Sequence, residues 1–227
     1  MIGSNPKRLF LSLAITAICT TSVAAQSVAP VAVIRFEPYQ GNPDLPTVHA
    51  SVNGHDGVFA FDSGEGVSMI TPDFAHAIGC KPWGQVTGFQ MNGGRIDAPR
   101  CDDVAFEAAG QRFAVPSVIV FDFMKKFKPD QPRLQGSLGF DLFAGRAITL
   151  QLSGQQIVIE SAASLAARIA KGTEVPIRIV RDAQGLALTV DVGVPTPEGM
   201  AWMELDSGGG ESIIIGKHIA PLFKLDP

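Results

Sequence analysis

Residues 61–70 read FDSGEGVSMI, and residues 205–214 read LDSGGGESII. In both stretches Asp, Ser, Gly, a second Gly, Ser and Ile recur at the same spacing, and each copy follows a short apolar run that predicts a β-strand. A single Asp-Ser-Gly is a common turn tripeptide, whereas two copies in register indicate an internal repeat. The repeat predicts two related lobes, each with an Asp-Ser-Gly turn at the end of a strand.

The acidic residues of the repeat, Asp62 and Asp206, are the candidate catalytic groups. Gly64 and Gly208 allow each backbone to turn tightly after its strand, and a pseudo-twofold relation would bring the two carboxyl groups face to face. Because two close carboxylates cannot both ionise cheaply, they share a proton. Such a pair can take a proton from water and give one to a substrate carbonyl. It titrates as a unit, so acid and base are not assigned to individual residues.

The rest of the chain predicts an all-β fold class. Short apolar runs separated by glycine-containing turns follow one another from residue 46, with hairpin turns expected at 53–57 and at 92–94. A short helix is expected within 71–79, and a second in the alanine-rich stretch 161–171. Elsewhere helical periodicity is scarce.

Composition and charge exclude several classes of function. The chain has 227 residues, of which 46% are hydrophobic and 18% charged, with a net charge of -4, so a disordered tail or a nucleic-acid partner is not expected. The histidines lack zinc-site spacing, a Gly-x-Ser-x-Gly elbow is absent, and the glycine-rich stretch at 208–210 does not complete a dinucleotide-binding pattern. The sequence predicts no metal and no cofactor.

Residues 1–25 have the pattern of a secretory signal peptide. Lys7 and Arg8 precede a run of apolar and hydroxyl residues that ends at Ala24 and Ala25. We therefore expect an exported protein, periplasmic or secreted, without a membrane span in the mature chain.

Removal of the signal peptide would leave two cysteines, Cys80 and Cys101. The exported compartment permits a disulfide between them, but spacing alone does not establish the geometry. A disulfide and two buried free thiols both remain open.

Together these features resemble the aspartic proteases, most closely the bacterial secreted, retropepsin-like type with two lobes in one chain. The first resemblance is the strand followed by Asp-Ser-Gly, with Ser68 and Ile70 downstream. The second is the glycine-tipped hairpin at 92–94, where the family has a flap over its cleft. The third is GSLGFDL at 136–142, which looks like the family's apolar-Gly segment that closes a lobe. The resemblance covers roughly residues 46–160, and a weaker resemblance extends from residue 173 onward.

The resemblance implies a closed β-barrel lobe and an aspartic endopeptidase that hydrolyses peptide bonds without a cofactor. Asp62 and Asp206 would hold and activate the lytic water. The residues that would support the active-site loops are Ser63, Gly64, Ser68, Ser207, Gly208 and Ser212. The residues that would cover a peptide substrate are Phe89, Asn92, Gly93 and Gly94.

The predicted organisation is a signal peptide at 1–25, an N-terminal extension at 26–45, a first lobe at 46–160, a linker at 161–172 and the start of a second lobe at 173–227. Little sequence follows Asp206, so we expect this second lobe to be truncated. Two alternatives follow. One is a noncatalytic peptide-binding or scaffolding protein with an incomplete dyad, and the other is a homodimeric protease that uses Asp62 from each chain.

Glu65 departs from the family pattern, which often has a small residue at this position. It places a third carboxyl group next to the predicted pair. Two interpretations remain open: the group raises the pKa of the site, or it points to solvent.

Overall fold

The computed structural model describes residues 28–40, 42–208 and 213–225. The predicted signal peptide and Ser212 lie outside these residues. The described chain is mostly β, which confirms the all-β fold class. No helix in these three ranges has the length and apolar character that crossing a membrane requires.

In the described residues the secondary structure is a series of strands with two α-helices. The strands are β1 (Ala32–Arg35), β2 (Glu37–Tyr39), β3 (Asn42–Val52), β4 (His55–Phe61), β5 (Met69–Ile70), β6 (Trp83–Phe89), β7 (Arg95–Ala108), β8 (Gln111–Val120), β9 (Gly136–Leu138), β10 (Ile148–Gln151), β11 (Gln156–Ile159), β12 (Ile177–Val180), β13 (Thr189–Thr196) and β14 (Gly199–Glu204). The helices are α1 (Pro72–Ala77) and α2 (Ala162–Ile169). Short 3-10 turns cover Phe123–Lys126, Phe140–Phe143, Ala183–Gly185 and Ala220–Phe223.

The largest sheet has eight strands in the order β2-β3-β4-β9-β5-β8-β7-β6. Strand β3 also pairs with β7, which closes the sheet into a ring. Most neighbours are antiparallel, but β4 pairs with β9 and β5 pairs with β8 in parallel. The parallel pairing of β4 with β9 matters for the site, because it brings the carboxyl ends of these two strands to the same edge of the sheet.

The hairpin between β3 and β4 has a shorter turn than the sequence predicts. Val52 pairs with His55, so only Asn53 and Gly54 form the turn instead of residues 53–57. Both turn residues have positive φ, 51° and 78°, the conformation of a type I′ turn that matches the twist of paired strands. The shorter turn lengthens β4, which ends at the residue before Asp62.

The core inside the ring is built from phenylalanine. Phe59, Phe61, Phe106 and Phe113 are all fully buried. Phe59 contacts Phe106 edge to face, with ring centroids 5.5 Å apart. Alternate residues of β4 thus pack inward, and this packing fixes the register of the strand that leads to the site.

The predicted N-terminal extension, residues 26–45, contains β1 and β2. Strand β1 pairs with β11 in a three-stranded sheet, and β2 pairs with β3 of the large sheet. The short runs 32–35 and 37–39 carry weak strand signals by themselves, and pairing with distant strands decides their structure.

A second three-stranded sheet, in the order β12-β13-β14, lies in the segment 173–227. The predicted linker, 161–172, contains α2, whose N-cap Ser161 accepts a hydrogen bond from the amide of Ser164. The amide of Leu188 donates to the carbonyl of Gly66 at 2.7 Å. This bond joins the second sheet to the first Asp-Ser-Gly loop.

Candidate functional site

Asp62 lies at the edge of the large sheet, directly after β4. Its amide donates to the carbonyl of Leu138 at 3.0 Å, so the end of β9 anchors the loop. The amide of Gly64 donates to Asp62 Oδ1 at 2.9 Å, and the amide of Glu65 donates to the Asp62 carbonyl at 3.2 Å. These bonds form a tight turn that fixes the direction of the carboxyl group.

Asp206 has an equivalent loop after β14. The amide of Leu205 donates to the carbonyl of Val190 on β13 at 2.8 Å, which holds the end of the strand. The amide of Gly208 then donates to Asp206 Oδ1 at 2.8 Å, the same contact that Gly64 makes with Asp62. The Asp-Ser-Gly turns of the two copies therefore share this hydrogen bond.

The serines of the repeat join the two loops directly. The amide of Ser63 donates to Ser207 Oγ at 3.0 Å, and the amide of Ser207 donates to Ser63 Oγ at 2.8 Å. Ser63 Oγ also donates to the carbonyl of Leu205 at 2.7 Å. Ser63 is fully buried, so these bonds are shielded from water.

This reciprocal arrangement brings the carboxyl groups of Asp62 and Asp206 together. A Cβ atom on Gly64 would lie 2.6 Å from Asp206 Oδ1, and one on Gly208 would lie 2.6 Å from Asp62 Oδ1. Each glycine thus faces the carboxylate of the opposite loop. Only a residue without a side chain leaves room for that approach.

Burial, and after it the neighbouring Asp206 carboxylate, raise the pKa of Asp62 to about 6. Hydrogen bonds from the amides of Gly64 and Gly208 act in the opposite direction, since they stabilise the ionised form. The pair therefore holds one proton more easily than two separate aspartates would. One carboxylate and one carboxylic acid at contact distance can accept a proton from water while donating another.

Ser68 and Asp141 support the first loop from behind. Ser68 Oγ donates to Asp141 Oδ1 at 2.6 Å, and the amide of Ser68 donates to Asp141 Oδ2 at 2.9 Å. The amide of Gly139 donates in turn to Ser68 Oγ at 3.0 Å. Burial raises the pKa of Asp141 to about 6, although the bonds from Ser68 lower it in part. These three buried residues link the first Asp-Ser-Gly loop to the segment after β9.

Further carboxyl groups surround the pair. Glu204 lies opposite Asp191 in the register of β14 and β13. Partial burial raises the pKa of Glu204, as do the nearby carboxylates of Asp206, Asp191 and Asp62. The surroundings of the pair are therefore acidic, which favours retention of a proton.

The predicted flap forms a hairpin of β6 and β7. Its tip is closed by bonds from the amide of Gln90 to the carbonyl of Gly94 and from the amide of Gly93 to the carbonyl of Gln90, each 2.8 Å long. Asn92 Oδ1 accepts from the amide of Gly94 at 2.8 Å. Phe89 at the end of β6 is 71% exposed.

Cys80 and Cys101 form a disulfide with their Cα atoms 6.1 Å apart. Cys80 follows α1 and Cys101 lies within β7, so the disulfide ties β7 to the helix that follows the first Asp-Ser-Gly loop. The second of the two sequence interpretations, a pair of free thiols, does not describe this structure.

Two residues of the site had no role assigned from the sequence. Asp141 lies in the apolar run GSLGFDLF, where an acidic residue is a signal for a buried polar contact. Leu205 contributes through its backbone carbonyl, which a side-chain pattern does not reveal. Within the described residues no group of three or more His, Cys, Asp or Glu side chains is arranged to hold a metal ion.

Comparison with known proteins supports an aspartic-protease type of function. Residues 48–142 match the family model described as aspartyl protease, and Asp62, Ser68 and Asp141 lie within the match. Among solved structures, the chain is similar to conglutin gamma, a basic 7S globulin from lupine seeds, at 9% identity and a TM-score of 0.42. That alignment covers 78% of this chain and 63% of the lupine protein, less than two thirds of its length. No curated protein matches the chain.

Proposed function

We propose that this protein is an aspartic endopeptidase in which Asp62 and Asp206 activate a water molecule for attack on a peptide bond. The ionised carboxyl group accepts a proton from the water, and the protonated one donates to the substrate carbonyl as the tetrahedral intermediate forms. As the C–N bond breaks, the carboxyl group that took a proton from the water donates it to the leaving nitrogen, and the other carboxylate recovers its proton from a hydroxyl of the intermediate. Each step uses only the two carboxyl groups and water.

The observation that carries this proposal is the reciprocal hydrogen bonding of Ser63 and Ser207. Each serine hydroxyl accepts the amide of the other, and each aspartate accepts the amide of the glycine two residues downstream. A turn with only a structural role would not need a second turn of the same kind, placed so that the aspartate carboxylates of the two turns face each other. The match of residues 48–142 to an aspartyl protease family supports the same chemistry.

The intrachain pair favours this function over the homodimeric alternative. In a homodimer that uses Asp62 from each chain, the position facing Asp62 would belong to a second copy. Here Gly208, next to Asp206, faces the Asp62 carboxylate within one chain. The same contact favours catalysis over a scaffolding role, because a binder has no need for two carboxyl groups that share a proton.

We also propose that the protein acts outside the cytoplasm, in the periplasm or the medium. The pattern of residues 1–25 supports export. The disulfide between Cys80 and Cys101 fits an oxidising compartment. Peptides or exported proteins would be the substrates.

Cleavage of a mixed peptide library by the purified protein tests the function. We expect a bell-shaped dependence of kcat/KM on pH between about 3 and about 8, because activity requires one proton on the pair. The upper limb should lie near the pKa of Asp62, which burial raises to about 6. The absence of any cleavage by protein whose circular dichroism shows a folded β structure would contradict the proposal.

A further inference from the structure

Gly66 is the residue at which the first Asp-Ser-Gly loop meets the segment that leads into β13. Its carbonyl accepts the amide of Leu188 at 2.7 Å. A Cβ atom on Gly66 would lie only 3.0 Å from the Cβ atom of Ala187, closer than two carbon atoms normally approach. Ala187 and Leu188 are both buried, so the contact belongs to the packed interior. The backbone of Gly66 therefore lies directly against the methyl group of Ala187.

The opposite side of the loop is packed as well. A Cβ atom on Gly139 would collide with the carbonyl of Glu65, so the residue after β9 is in direct contact with the loop. The carboxyl group of Glu65 is buried, which excludes the interpretation in which it points to solvent. The loop that carries Asp62 is thus enclosed between the end of β9 and the residues before β13.

A turn with an uncommon backbone conformation, residues 182–188, presents Ala187 to the loop. Ala183, Gln184 and Gly185 have positive φ in succession, 49°, 64° and 85°. Two of these residues are not glycine, so their conformation costs free energy that the surrounding structure must offset. The amides of Gly185 and Ala187 both donate to the carbonyl of Asp182, at 2.9 and 3.2 Å, which closes the turn. Strain of this kind is typical of segments that hold a functional site in a fixed geometry.

The 182–188 turn also contacts the base of the flap hairpin. Arg100 Nη1 on β7 donates to Gln184 Oε1 at 3.4 Å, and the Arg100 guanidinium carbon lies 4.4 Å from the centroid of the Trp83 ring. Trp83 is the first residue of β6 and pairs with Arg100 in the sheet. The turn is therefore held on two sides, by the flap hairpin at Gln184 and by the first Asp-Ser-Gly loop at Leu188.

We propose that Ala187 is a positioning residue, whose contact with Gly66 fixes the first Asp-Ser-Gly loop and thereby the carboxyl group of Asp62 relative to Asp206. The proposal rests on the proposed function and adds a role for a residue outside both Asp-Ser-Gly turns. The amides of the two residues before Gly66 donate to the carboxyl group and the carbonyl of Asp62. A displacement of Gly66 is therefore transmitted to the Asp62 carboxyl group.

The variant Gly66→Ala tests the proposal. Gly66 is not among the glycines with positive φ, so alanine fits its backbone and the change tests the contact with Ala187. We expect kcat for the best library peptide to fall about tenfold, because a shift of a catalytic group by a fraction of about 1 Å already costs activity. KM should stay within about twofold of the parent value, since the change does not alter a side chain of the flap.

Gly154→Ala is the matched control for the added methyl group. Gly154 lies in the turn between β10 and β11, and its Cβ atom would come no closer than 3.4 Å to the nearest atoms, which belong to Gln151. This is an ordinary contact that needs no movement of the neighbour. Both kcat and KM of the control should equal those of the parent.

Removal of the Ala187 methyl group should rescue Gly66→Ala. Without that methyl group, the nearest remaining side-chain atom is Thr189 Cγ2, 3.5 Å from the added Cβ atom. We therefore expect Gly66→Ala to change kcat by less than about twofold in the Ala187→Gly background, a nonadditivity that marks a direct contact. Ala187→Gly alone requires no extra room, so it should fold. Its kcat should fall about threefold, because the loop loses support on that side.

The kcat values of these variants, each checked for folded β structure by circular dichroism, decide the role of Ala187. A kcat of Gly66→Ala near that of Gly154→Ala would overturn the proposal, and so would an equal loss from Gly66→Ala in both backgrounds. If Gly66→Ala does not fold, Ala187→Gly decides alone, and a kcat equal to that of the parent overturns the proposal. Lack of cleavage by the parent would instead overturn the proposed function, and this proposal with it.

Discussion

Asp62→Asn is expected to abolish peptide cleavage, with kcat/KM lower by at least about a thousandfold. Asparagine cannot accept a proton from water, and it cannot share one with Asp206. Its side-chain oxygen can still accept the amide of Gly64, the bond that fixes the loop at 2.9 Å in the parent. The variant should therefore fold, and the loss should appear in catalysis. Steady-state cleavage of the best library peptide measures it.

Asp103→Asn is the matched control for the change of an aspartate to its amide. Asp103 is exposed on β7 and has a φ of 55°, a conformation that asparagine also adopts readily. Its activity should equal that of the parent. Cleavage by Asp62→Asn at a rate near that of this control would show that Asp62 does not activate the water.

Gly208→Ala is expected to reduce kcat/KM by about a hundredfold or more, although the change adds only one methyl group. Its Cβ atom would lie 2.6 Å from Asp62 Oδ1, closer than such atoms can approach, so the carboxyl group must move. A displacement of about 1 Å of a catalytic group is enough for a loss of this size. Gly64→Ala should have a similar effect, because its Cβ atom would meet Asp206 at the same distance.

Gly172→Ala serves as the control for the added methyl group. Its Cβ atom would come no closer than 3.7 Å to the nearest atoms, the carbonyl oxygens of Arg168 and Ile169. Activity and the unfolding transition should both stay near the parent values. If Gly208→Ala were as active as Gly172→Ala, the carboxyl groups would not be as close as the structure places them.

The local features of the site follow from short sequence signals. Thr71 and Pro72 predict the start of α1, and the structure has Thr71 as the N-cap with Pro72 as the first helical residue. The repeated Asp-Ser-Gly predicts two turns after strands, and both β4 and β14 end just before them. Such signals suffice because each depends on residues that are neighbours in the chain.

The features that the sequence did not predict depend on contacts between distant residues. Strand β1 exists because it pairs with β11, more than a hundred residues later in the chain. The burial of Glu65 depends on β9 and on the second sheet, which cover the loop from two sides. The sequence alone left open whether this side chain points to solvent. Only tertiary packing decides whether a glutamate beside a turn is hydrated or enclosed.

The activity of Asp206→Asn tests most directly whether one chain supplies both carboxyl groups. In the structure Asp206 faces the first loop within the same chain, so we predict that this variant loses cleavage as completely as Asp62→Asn does. The measurement is kcat/KM on the same peptide, with Asp103→Asn as the control. Undiminished cleavage by Asp206→Asn, together with inactive Asp62→Asn, would contradict the intrachain pair and favour a site built from Asp62 of two chains.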